Sequence, residues 1–161
     1  MKEKLKYIEE FTVEKFEDIQ TYKAGVSYEK SIEVCSDENC LLNAGITLVW
    51  NLIAGLSANH YNNANVEIGI GSDDTVAVAT QTDLVYVSAV WKGMDTGYPL
   101  VANQTISFRG EFGIAEANFA WKECAIRQGS TGSTLLNRIV IDKGTKTSGE
   151  IWLAKLQITL S

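Results

Sequence analysis

Near the C-terminal end of the sequence, several residues of chemically capable types stand close together. Trp121, Glu123 and Cys124 fall within the segment NFAWKECAI, and Arg138 follows after a glycine-rich turn. A cysteine nucleophile needs a base to take its proton, and a carboxyl acting as general acid needs surroundings that keep it protonated near neutral pH. Alternate residues of a strand point to opposite faces. On that rule Trp121 and Glu123 share one face and Cys124 takes the other, so Cys124 and Trp121 should not meet at one site. With no base assigned to it, Cys124 reads as a small buried hydrophobe. Glu123 beside Trp121 and Phe119 is a carboxylate among core aromatics, which is costly to bury unless paired. Arg109, Arg127 and Arg138 are its candidate partners, and a buried ion pair of Glu123 with Arg138 is the expectation.

Other groups have plainer readings. Gly69-Ile70-Gly71-Ser72 follows a strand as a phosphate loop would, but it lacks the third glycine and the following helix that such loops require. A turn needing glycine's backbone freedom is expected there. Asp73, Asp74 and Asp83 lack the regular ligand spacing of a calcium loop and read as turn and cap residues. His60, the sole histidine, has no nucleophile tied to it by any motif. Glu116 and Glu123 are the nearest approach to a hydrolytic carboxylate pair, with no sign of a cleft between them. The odd set Cys35, Cys40 and Cys124 does not make a disulfide framework or a zinc knuckle, although Cys35 and Cys40 are close enough in sequence to approach each other. Catalytic, cofactor-binding and metal-binding residues are therefore expected to number none. Trp50, Trp91, Trp121 and Trp152 are scattered over the predicted elements, which suits a core and subunit interfaces better than an aromatic platform for a sugar or base.

The elements that position these residues are mostly strands. Leu5 to Phe16 and Val26 to Val34 read as two early strands. In the second, Tyr28, Ile32 and Val34 share one face and Glu29 and Glu33 the other, and Lys30 suggests an edge. The one predicted helix spans roughly residues 43–56. Leu42, Ile46, Val49, Ile53 and Leu56 form its apolar stripe, expected to be well buried against a sheet, with Asn39 or Asn43 as cap and Gly55 as stop. Strands are expected at Val66 to Ile70, Leu84 to Trp91, Thr105 to Phe112, Phe119 to Ile126, Leu135 to Ile141 and Gly149 to Leu160. The fold class is mainly β: an antiparallel β-sandwich or barrel-like sheet of about seven to nine strands with one helix.

The chain has 161 residues and a formal net charge of −6, with 45% hydrophobic residues. That length fits a single β-rich domain, residues 1–161, with enough apolar content for a sizeable core. The acidic balance does not draw in a nucleic-acid backbone. Glu3, Glu9 and Glu10 interrupt any signal-peptide core, and the longest apolar tract is too short for a bilayer, so a protein made in the cytoplasm with no membrane partner is expected.

Five pieces of the sequence, in order, carry a resemblance. They are NAG ahead of the helix, NNANVEIGIGSDDTVAVATQTDL, KGMDTGYP, TISFRGEFGIAEANFAWKECAI and GSTGSTLLNRIVIDKGTKTSGEIWLAKLQITL. From about Asn43 to Ser161 the chain resembles a family of small tailed-bacteriophage and prophage virion structural proteins. It departs from the family pattern at Glu123-Cys124-Ala125. Residues 1–40 match less clearly and are a candidate arm or edge hairpin for a particle-specific contact. The resemblance implies a virion protein, made in the host cytoplasm and without enzymatic activity. Foremost is a capsid decoration or accessory head protein bound to a repeated lattice; the alternative is a tail or tail-fibre component that binds a receptor or carbohydrate. It further implies major capsid or tail proteins as partners and a homo-oligomer, a trimer among the options.

Overall fold

The computed structural model describes residues 6–35, 40–129 and 134–161. Period-two alternation builds most of what is seen. In chain order the elements are β1 (Tyr7–Phe16), α1 (Ile19–Ala24), β2 (Glu29–Cys35), β3 (Cys40–Leu41), α2 (Asn43–Ile53) and β4 (Val66–Gly71). They continue with β5 (Ala89–Gly93), β6 (Leu100–Ala102), β7 (Thr105–Phe112), β8 (Glu123–Gln128), β9 (Thr134–Val140) and β10 (Ile151–Leu160). All strand pairing is antiparallel and forms two five-stranded sheets, ordered β2-β1-β10-β7-β6 and β3-β9-β8-β4-β5. Neither order closes on itself among the described residues. The architecture is two antiparallel sheets with limited helix.

The inward faces of the two sheets share one core. Phe11, Phe108 and Leu156 of the first sheet join Ile68, Ile126 and Ile139 of the second. Each such side chain contributes roughly 1.5–3 kcal/mol on burial. The Trp121 indole stands edge-on to Phe112 at 5.0 Å and to Trp152 at 4.8 Å between ring centroids. Asn137 points inward and ties the layers together. Its Oδ1 accepts from the Ile126 N–H at 3.0 Å, where the β8–β9 register shifts between Ile126 and Arg127. Its Nδ2 donates to Glu9 Oε1 of β1 at 2.7 Å.

Several expectations need correcting. Ten strands are found among the described residues, because the short β3 and β6 escape a periodicity reading. Two helices are found among the described residues. The missed α1 is only six residues long and is signalled by its ends: Asp18 Oδ1 accepts from Gln20 and Thr21 N–H, and Gly25 closes it at φ +68°. β5 begins at Ala89 and β8 at Glu123, five and four residues later than expected. Trp121 therefore precedes its strand and escapes the alternation. It lies in the same core cluster as Cys124, while Glu123 faces outward from the second sheet.

The helix stripe is also not buried as expected. α2 docks on β9 through Gly45, where an added Cβ would stand 2.5 Å from the Leu136 carbonyl oxygen. At 100° per residue, a helix centred on Gly45 turns Leu42, Val49 and Leu52 toward the sheet and leaves Ile46, Ile53 and Leu56 exposed. The N-cap is Leu42, which makes no side-chain cap bond, so Asn43 does not cap; Asn39 lies outside the described residues. Gly55, at φ +70°, does close the helix.

Candidate functional site

A buried polar cluster lies on the outer face of the second sheet, beneath α2 and the loop joining β4 to β5. Register sets it up: Gly71 pairs with Glu123, and Glu123 with Val140, the residue two beyond Arg138. Two residues along a strand return to the same face, so Glu123 and Arg138 are diagonal neighbours. Arg138 Nε donates to Glu123 Oε2 at 2.7 Å, and both side chains are 0% exposed. The guanidinium then reaches into the loop: Nη1 donates to the Thr75 carbonyl at 2.7 Å and to Gln81 Oε1 at 3.4 Å. Glu123 Oε2 also accepts the Val85 N–H at 3.0 Å. The pair straps residues 75–85 onto the sheet. Burial outweighs Arg138 and the Val85 N–H and raises the Glu123 pKa above the ordinary carboxylate value.

The glycines of β4 serve this face. A Cβ on Gly71 would meet Glu123 Oε1, and one on Gly69 would meet the Trp91 ring at 2.5 Å. They stand inside the strand, and neither has a positive φ. The expected turn at Gly69–Gly71 is thus corrected: the glycines make room for side chains laid across the sheet. Ala125, Leu135, Leu42 and Leu84 fill the remaining space as a second buried cluster.

The other candidates are dispersed. Trp121 and Trp152 are core, and Trp91 is half-buried with the Arg127 guanidinium 4.0 Å from its ring centroid. Trp50 stands exposed on α2. Glu116 is held by Lys92 at 2.8 Å, a different cation from the one that holds Glu123. Asp73 and Asp83 accept the backbone N–H of Thr75 and Leu84, which are turn roles. His60 is exposed in the loop after α2. Among the described residues no group of three or more His, Cys, Asp and Glu side chains is placed to hold a metal ion, and no helix is long and apolar enough to cross a membrane. Cys35 and Cys124 are buried free thiols. Burial pushes Cys35 to about 12 and Cys124 well up, which removes the thiolate needed for attack. The side chain of Cys40 lies outside the described residues.

Two features escaped the sequence reading. Glu9, fully buried on β1, faces the core with only Oε1 bonded, to Tyr7 and Asn137. β2 is at the sheet edge, as Lys30 suggested, but its polar side is turned inward: Glu29 pairs with Lys15 at 3.0 Å and Glu33 with Lys143 at 2.9 Å. Those two lysines are themselves buried, so the apolar side, Ile32 and Val34, is left to solvent at 58% and 62% exposure. The signal was the pair of glutamates at Glu29 and Glu33, which needed buried cations that no local pattern announces. No family model, no curated protein and no solved structure matches the chain.

Proposed function

We propose that this protein is a structural component of a tailed-bacteriophage virion, foremost a capsid decoration or accessory head protein that docks on a repeated lattice of the particle. The observation that carries this reading is β2. It is an outermost strand of the first sheet, and its solvent face presents Ile32 and Val34 beside Lys30, with Tyr28 exposed just before it. An edge strand with an apolar outward face is a contact surface, because a partner can satisfy its backbone and cover its side chains together. The NFAW, LLNR and GTKTSG motifs add the resemblance to virion proteins. Docking would add interface to assembled particles and so favour assembled over free subunits by mass action.

A tail or tail-fibre component that binds a carbohydrate is the second reading. Trp50 favours it, because an indole 63% exposed can stack on a sugar ring. Trp121 and Trp152 add nothing to such a platform, since both are buried in the core.

Mass spectrometry of gradient-purified particles from cells carrying the gene tests the proposal. The protein is expected in the particle band in many copies per virion. Its confinement to the soluble fraction would refute a virion role.

A further inference from the structure

The layer over the second sheet is almost free of charge. From Cys40 through Val66 the chain has no Asp, Glu, Lys or Arg, and from Thr75 through Trp91 it has Asp83 alone, in a chain with 21% charged residues. The fold lays these two segments side by side. The Asn43 N–H donates to the Ala79 carbonyl at 2.9 Å, and Leu42 and Leu84 share one buried cluster. A solvent-facing helix ordinarily carries charged and polar residues on its outer side. Here that side presents Ile46, Trp50 and Ile53, with Leu56 just beyond the helix end, and the loop adds Val78 and Val87, which is 90% exposed. Exposed apolar side chains gathered on an uncharged layer mark an interaction surface rather than a solvated one.

We propose that this layer is the surface on which two copies of this chain meet, α2 and its loop in one copy packed against α2 and its loop in the other. With a net charge of −6, copies repel one another at long range. They can touch at this layer without burying like charges. An isologous contact sets the same patch against itself, and an uncharged apolar patch is complementary to itself. A nucleic acid or a basic protein would find no countercharge there.

Light scattering on the full chain during size-exclusion chromatography tests this. Wild type is expected at twice 17.7 kDa, and the double variant W50E/I53E at the monomer mass with an unchanged far-ultraviolet spectrum. The control L100E/V101E, on the equally exposed β6 edge, is expected to keep the wild-type mass. A monomeric wild type at its highest soluble concentration overturns the proposal; so does a W50E/I53E variant that stays assembled, or a control that dissociates as well. Should W50E/I53E unfold, Leu56→Cys gives a second readout: bismaleimide treatment is expected to link two chains beyond the wild-type background, and no added linkage overturns the proposal. A monomeric wild type that is nevertheless found in particles removes this contact and leaves the virion role standing.

Discussion

Replacing Arg138 with methionine is expected to cost about 3–5 kcal/mol of folding stability, the range for removing one partner of a buried ion pair. The substitution leaves Glu123 fully buried without its cation and frees the Thr75 carbonyl and Gln81 from their donor. Burial already raises the Glu123 pKa with Arg138 in place; without Arg138 the carboxyl is driven further toward its protonated form. The loss should therefore be greater at pH 8 than at pH 5. The companion variant R138M/E123M is expected to recover most of it, because replacing both charges with packed apolar groups is often neutral or stabilising. Urea unfolding of the two variants beside wild type checks this. Equal losses in single and double variant would mean that the pair does not hold the strap.

The second large effect is a pH dependence centred on Glu9. Burial, opposed by the bonds from Tyr7 and Asn137, raises its pKa from the ordinary 4.5 to about 7. Around it stand Tyr7 on its own strand, Cys35 opposite on β2, and Cys124 and Asn137 from the second sheet. Among the described residues no cation bonds it, and Oε2 has no hydrogen-bond partner. Because the folded state holds this proton more tightly than the unfolded chain does, the contribution is fully present below about pH 4.5. It is lost as the pH rises through about 7. The gap between the two values corresponds to roughly 3 kcal/mol. Glu9→Gln keeps the shape and cannot ionise. Its stability relative to wild type is expected to improve by about that amount between pH 5 and pH 8, read from denaturant midpoints at constant ionic strength. Parallel pH profiles for the two proteins would show that Glu9 does not titrate in this range.

The strands were legible wherever one face meets the core and the other meets water. β7 was read to the residue, and Val66, Ile68 and Ile70 do point together into the core. Legibility failed where a rule other than alternation decided the outcome. Gly45 rotates α2 on the sheet, and a glycine has no place in a hydrophobic stripe. Gly69 and Gly71 looked like a turn because the ring and carboxylate that need their space come from Trp91 and Glu123, both distant in sequence. Asn137 and Arg138 read as two polar interruptions of one strand. They face opposite sides: one bridges the two sheets, and the other straps a loop to the outer face. The uncharged run from Cys40 to Val66 is visible in the sequence, but its meaning depends on α2 turning its apolar residues outward.

The claim that β2 presents a particle-binding face is tested most directly by co-sedimentation of purified protein with particles lacking it. Wild type is expected to pellet with the particles to saturation, and the I32E/V34E variant to remain in the supernatant while keeping its fold. Equal pelleting of the two proteins, or no pelleting of wild type, would contradict the claim.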